Sequence, residues 1–199
     1  KNRLIKDHGP DHSIKQLNSQ IAPCLNEIQK ERLYFLSEIE TKVASYFNTL
    51  HILDGRFMIH YTSKTSHLTD DDAIIDYLNQ HLTKDKMMRS STIGPHRDDF
   101  YFSIDGRNVR EFYSRGICRS LAYFYYLSQA QFIESETSLP MLLLLDEPFS
   151  EIFKDLKQQL IAHIPSSFSV IYTSTQFDEI SNLNRLQLYG INNGTLCKI

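Results

Sequence analysis

The residues best placed to do chemistry are Asp146 and Glu147, which end the apolar run Leu142-Leu143-Leu144-Leu145 and are followed by Pro148. A buried strand that stops abruptly in two carboxylates sets them at the C-terminal edge of a parallel sheet, where open α/β folds bind ligands. Carboxylate oxygens there suit a hard cation and a reacting water. This is the Walker B arrangement of nucleotide hydrolases: Asp146 would hold Mg²⁺ through a water, and Glu147 would orient or deprotonate the attacking water. The plainer alternative is a strand end with two exposed acids, but so apolar a run with so abrupt a pair favours the functional reading.

About thirty residues upstream, Ser114-Arg115-Gly116-Ile117-Cys118-Arg119-Ser120 opens a helix that continues into Leu121 and Ala122. A Ser-x-Gly at a helix start offers a hydroxyl and main-chain donors beside the positive end of the helix dipole, which suits a phosphate. Alone the pattern is weak. Placed one helix before the carboxylate strand, it has the order of an ABC signature motif. Thr173, Ser174 and Thr175 lie just past a second apolar strand, where hydroxyl donors could contact phosphate or the attacking water; strand-end polarity explains them almost as well.

A third element is Thr92-Ile93-Gly94-Pro95-His96-Arg97-Asp98-Asp99. His96, Arg97, Asp98 and Asp99 with Asp146 are the residue types of a metal-dependent phosphoesterase. A structural turn, with Arg97 paired to a neighbouring carboxylate, is preferred. Tyr123-Phe124-Tyr125-Tyr126 could stack bases, but four consecutive residues point all round a helix, so most belong to the core. His8 and His12 are four apart, yet Gly9-Pro10 breaks the helix that would aim both at one metal. Cys24, Cys118 and Cys197 have neither the number nor the spacing of a disulfide framework or thiolate site.

The elements that must carry these groups follow from periodicity. Leu25, Ile28, Leu36, Ile39, Val43, Phe47 and Leu50 form one stripe of a long amphipathic helix over Ile14 to Leu50, with Pro23 expected to bend or divide it. Phe57, Ile59 and Tyr61 alternate as in a half-buried strand. Thr69 to Asp72 supply capping chemistry for a helix over Ala73 to Met88, so the three aspartates need no metal. Phe100, Phe102 and Ile104, the Asp105-Gly106 turn and a return over Arg107 to Glu111 read as a hairpin. A helix over Ser114 to Glu134, a strand at Leu142 to Leu145 buried on both faces, a helix over Phe153 to His163 and a strand at Phe168 to Tyr172 complete a βαβ unit. The fold class is mixed α/β. The expected parts are a helical lobe at 1–91, the hairpin and signature helix at 92–135, and the Walker B α/β part at 136–199.

A chain of 199 residues with 41% hydrophobic content can bury a real core. Met141 to Leu145 is its longest apolar run, too short for a membrane span, and the opening lacks a signal-peptide pattern, so a cytoplasmic location is expected. Net charge is −3, against binding by bulk positive charge. Lys84 to Arg119 nevertheless holds eight basic and five acidic residues, while Leu121 to the end holds four basic and eight acidic. Lys84, Lys86, Arg89, Arg107, Arg110 and Arg115 are therefore the candidates for salt-sensitive phosphate contacts to DNA.

Gly-Pro-His-Arg-Asp-Asp, a hairpin with Asp-Gly-Arg, Arg110-Glu111-Phe112, Ser114-x-Gly-x-x-Arg119 and a leucine-rich Walker B, in this order, resemble the C-terminal portion of the RecF family. The opening Asn2-Arg3-Leu4-Ile5-Lys6 is similar as well, so the resemblance covers nearly the whole chain. It implies the distal part of an ABC-type ATPase head of the SMC and Rad50 kind, with a helical lobe carrying the signature motif. It also implies ATP and Mg²⁺ as cofactors, an ATP-dependent homodimer, and binding to gapped single-strand/double-strand DNA. The implied role is recombinational repair with RecR and RecO type mediators. In such heads Ser114 and Gly116 act across the dimer on a γ-phosphate bound by the partner, while Asp146 and Glu147 act on their own subunit's nucleotide. Ser150 falls where the D-loop begins, and Thr173 and Thr175 fall where a switch senses the γ-phosphate.

The chain departs from the family pattern in four ways. Ile117 stands where the family usually has glutamine, Asp146-Glu147 where it commonly has two aspartates, and Phe153 where the D-loop usually ends in aspartate. No Gly-x-x-x-x-Gly-Lys-Ser/Thr occurs among the seven glycines, so the backbone cradle and lysine that hold β- and γ-phosphates are missing from this sequence. With a first residue that is lysine rather than methionine, this suggests a piece of a longer ATPase, inactive alone. The alternative is a non-hydrolysing DNA-binding or interaction module derived from an ABC head.

Overall fold

The stripe on the long helix has a sheet and a second helix to bury it. The computed structural model describes residues 1–50, 54–149, 152, 154–175, 187, 189–192 and 194–198, with backbone only for Lys154, Asp155 and Asn192. Two compact units result, Lys1–Tyr113 and Ser114–Ile199. The hairpin belongs to the first and the signature helix to the second, whereas the sequence reading divides the chain at 91/92 and 135/136.

In the first unit a short helix α1 (Asn2–Lys6) leads through Gly9-Pro10 into α2 (Asp11–Leu50), a helix of 40 residues. Pro23 does not divide it. Its side chain is exposed, and Ala22 and Leu25 on either side are buried with Ile74, Leu78 and Ile93, so packing holds both halves in line across the lost hydrogen bond. Leu25, Leu36, Ile39, Val43 and Phe47 form the buried stripe as expected. Leu50 is only half-buried and Ile28 is exposed; the residue after Ile28, Gln29, turns inward instead. Gln29 donates to the Thr65 carbonyl at 3.1 Å and accepts from the Thr65 hydroxyl at 3.0 Å, so its amide is buried at little cost.

Strand β1 (Phe57–Thr62) pairs antiparallel with β2 (Asp99–Ile104), and β2 with β3 (Arg107–Asn108), giving the order β1-β2-β3. Phe47 of α2 stacks on Phe57, whose ring also meets Phe102. Glu40 of α2 accepts the Ile59 main-chain N–H at 2.6 Å and so covers the outer edge of β1. Asp105 and Gly106 take φ of 48° and 74°, the left-handed pair a tight two-residue hairpin demands. The return strand is shorter than expected. Asn108 accepts the Arg110 N–H at 2.9 Å and starts helix α5 (Val109–Phe112), which ends the strand.

The helix expected over 73–88 is two helices, α3 (Asp71–Gln80), capped by Asp70, and α4 (Leu82–Met87), parted at His81. Asp85 on α4 is almost fully buried; it accepts the Thr92 N–H and hydroxyl at 2.8 and 2.7 Å and faces the Lys1 ammonium at 3.2 Å.

Asp98 closes the Gly-Pro-His-Arg turn, though not through Arg97. Tyr61 donates to its carboxylate at 2.5 Å and Arg32 of α2 at 3.2 Å, while Arg32 also donates to the Pro95 carbonyl at 2.7 Å. Arg97 is exposed and has no carboxylate partner among the described residues. The expected Arg97 pair is therefore replaced by a pair with a residue 66 positions away.

Burial, and then the bond to Asp98, push the Tyr61 phenol above its ordinary 10.0. The fold keeps a proton there that the unfolded chain releases, so this contribution is complete below about pH 10 and is lost as pH rises through the higher folded value. Unfolding curves of wild type and Tyr61→Phe should run parallel below that pH, with only the wild type falling more steeply above it. Identical pH slopes would contradict the assignment.

In the second unit α6 (Arg115–Thr137) buries Ser120, Leu121, Phe124, Leu127 and Ser128 on one stripe. Each fully buried Phe or Leu contributes about 1.5–3 kcal/mol. Strand β4 (Leu142–Asp146) pairs parallel with β5 (Ser169–Thr173), with α7 (Lys154–Ala162) between them in sequence, the expected βαβ order. The expected burial of β4 on both faces is not met. Leu143 is buried, but Leu142 and Leu144 are 55% and 69% exposed, as is Ile171 of β5 at 56%. Two strands present a face that nothing among the described residues covers. An antiparallel pair, β6 (Tyr189–Asn192) and β7 (Thr195–Lys198), follows. No helix among the described residues is long and apolar enough to cross a membrane.

Candidate functional site

The two carboxylates lie where the strand pattern puts them, at the C-terminal ends of β4 and β5. Parallel register sets Asp146 opposite Thr173, and the Thr173 hydroxyl donates to Asp146 Oδ1 at 2.5 Å. One residue on, the chain leaves the sheet: Glu147 has a φ of 43°, a left-handed conformation uncommon outside glycine. Its N–H lies 3.2 Å from the Thr173 carbonyl and 3.3 Å from the Thr173 hydroxyl, which holds the turn against the next strand. The Thr175 N–H donates to Glu147 Oε1 at 2.8 Å. Each carboxylate is thus fixed from the end of β5, Asp146 by a side chain and Glu147 by the main chain.

Phe149 anchors the turn from behind. It is 1% exposed and packs against Tyr123 of α6 and Tyr172 of β5, with ring centroids 5.4 and 5.7 Å apart. Tyr123 in turn donates its hydroxyl to the Leu160 carbonyl of α7 at 3.0 Å. The sequence reading passes over Phe149; an aromatic two residues after a strand-end acid pair is the available signal. Tyr123 and Phe124 are buried, as expected of a core, while Tyr126 is 63% exposed.

Ser114 is the N-cap of α6, its hydroxyl oxygen accepting the Ile117 N–H at 3.4 Å. Accepting that bond leaves the hydroxyl proton to donate elsewhere. Gly116 lies in the first turn, where helical N–H groups have no intrahelical acceptor. Ser150 and Phe153 lie outside the described residues.

The DNA candidates lie on different elements. Lys84 and Lys86 lie on α4 with Arg89 just beyond it, Arg107 on β3 and Arg110 on α5, all in the first unit, while Arg115 opens α6 in the second. Lys86 is bonded to Asp11, whose carboxyl this contact holds below its usual range. Lys84, Arg89, Arg107, Arg110 and Arg115 are exposed. No group of three or more His, Cys, Asp or Glu suited to a metal occurs among the described residues.

A RecF from Carboxydothermus hydrogenoformans, a "DNA replication and repair protein", is 30% identical over 196 residues, which cover 98% of this chain and 54% of that protein. The chain resembles RecF along nearly its whole length. A Lactobacillus acidophilus RecF is 27% identical over 189 residues, covering 90% of the RecF-like chain and 50% of the relative. The chain thus spans about half the length of the curated relatives it matches. The solved structure of the recombination mediator protein RecF with ATP, in the RecFOR pathway, superposes over all of this chain and 54% of its own, with a TM-score of 0.78 at 23% identity. An SMC ATPase structure aligns over 86% of the chain with a TM-score of 0.50 at 10% identity. These likenesses give the RecF-like chain the mixed α/β fold of RecF and SMC ATPase heads. No protein-family model matches it.

Proposed function

We propose that this RecF-like chain is the distal half of an ATP-dependent DNA-repair ATPase head, bringing the Walker B carboxylates, the signature loop and the D-loop. The observation that carries this reading is the Asp146–Glu147 pair at the C-terminal edge of a parallel strand pair, each acid anchored from β5. The exposed face of β4 and β5 supports it. Parallel sheets are found with both faces covered, and a further lobe over Leu142, Leu144 and Ile171 would be a natural source of a phosphate-binding loop.

The donor set fits Mg²⁺ held mainly by water and phosphate. Among the described residues Asp146 is an exposed hard-oxygen acceptor in no group of three or more acids, cysteines or histidines, the pattern of a cation bound through one or two carboxylates plus substrate. When bound, Mg²⁺ and ATP supply a neutralised, polarised terminal phosphoryl group. Asp146 would then hold the metal through a water, and Glu147 would orient the attacking water or take its proton. Ser114 and Gly116 would offer a hydroxyl and an N–H to the γ-phosphate of the partner subunit, with Ser150 beside it and Thr175 sensing it from just past β5.

In this reading the intact protein forms an ATP-dependent homodimer, binds gapped DNA through Lys84, Arg89, Arg107, Arg110 and Arg115, with Lys86 hindered by Asp11, and works with RecR and RecO type mediators. The names of the relatives and the RecFOR pathway of the superposed structure support it. DNA-stimulated ATP hydrolysis by the chain rejoined to a phosphate-loop lobe, with Glu147→Gln as control, tests it. No turnover by the rejoined wild type would instead favour the non-hydrolysing DNA-binding or interaction module.

A further inference from the structure

The Thr173 hydroxyl has one proton, and two neighbours decide where it points. Asp146 Oδ1, 2.5 Å away, can only accept, whereas the Glu147 N–H, 3.3 Å away, can only donate. The proton is therefore directed at the carboxylate and a lone pair at the amide. Threonine is stiff at χ1, and its neighbour Tyr172 packs against the buried Phe149, so the hydroxyl is held from a fixed strand end. The Asp146 side chain is exposed, and the Thr173 hydroxyl is its hydrogen-bond donor.

We propose that Thr173 is a positioning residue for the metal carboxylate. By donating to Oδ1 it fixes the Asp146 side chain and leaves Oδ2 to accept from the water through which the metal would be held. Its hydroxyl is then engaged within the protein, so Thr173 makes no γ-phosphate contact, unlike the role the resemblance implies for it. The inference rests on Asp146 being the Mg²⁺ carboxylate. Outer-shell groups of a metal site typically change metal affinity by about 10–100-fold when removed.

The test uses the intact protein with ATP, and Mn²⁺ as the probe, with bound Mn²⁺ read by electron paramagnetic resonance and ATP affinity measured separately without metal. Thr173→Val keeps the shape and loses the hydroxyl; it should weaken Mn²⁺ binding by about tenfold or more, with metal-free ATP affinity unchanged. Thr173→Ser should restore binding. Because the effect passes through Asp146, Thr173→Val should add nothing in an Asp146→Asn background. Wild-type Mn²⁺ affinity in Thr173→Val, an equal loss in the Asp146→Asn background, or a fall in metal-free ATP affinity would overturn the proposal. If Asp146→Asn alone leaves Mn²⁺ binding intact, the reading of Asp146 fails, and the inference with it.

Discussion

Glu147→Gln in the intact protein should lower DNA-stimulated ATP turnover by about 10²–10⁴-fold while leaving nucleotide binding close to wild type, the loss typical of a removed general base. Glutamine keeps the size of the side chain and the oxygen that accepts the Thr175 N–H, so the strand-end turn is retained. What is lost is the ability to take a proton. Steady-state phosphate release, beside equilibrium binding of a fluorescent ATP analogue, separates the two effects. Unchanged turnover would remove Glu147 from the chemistry.

The second large effect concerns which subunit each part serves. If Ser114 acts across a dimer and Glu147 within its own subunit, Ser114→Arg and Glu147→Gln are each inactive alone, but their mixture is not. Random pairing makes half the dimers mixed, each with one intact site of two, so roughly a quarter of wild-type turnover should return. Losing the Ser114 cap costs only about 1 kcal/mol, too little to unfold a helix anchored by Leu121, Phe124 and Leu127. No recovery on mixing would place both residues at the same subunit's nucleotide.

The parts of the site that local sequence specifies were legible. An apolar run ending in Asp146-Glu147 predicts a strand and its acidic end, and Ser-x-Gly before a helical stripe predicts a helix start at Ser114. What sequence could not show depends on partners far along the chain. Arg32 rather than Arg97 pairs with Asp98 because α2 passes beside the turn. Gln29 is buried and Ile28 exposed because Thr65 offers the amide both of its bonds. The exposure of Leu142 and Leu144 is of the same kind: their pattern is written for a covered sheet, and no described residue of this chain covers it. Thr173 reads as a strand-end hydroxyl until parallel register sets it opposite Asp146.

The most direct test is a calorimetric titration of the folded 199-residue chain with Mg²⁺ and ATP, set beside the same titration of the chain rejoined to a lobe bearing a phosphate loop. The expected result is no saturable binding by the chain alone and tight, Mg²⁺-dependent binding by the rejoined protein. Tight, Mg²⁺-dependent binding by the chain alone would contradict the half-site, because it would require a phosphate cradle that its seven glycines do not form.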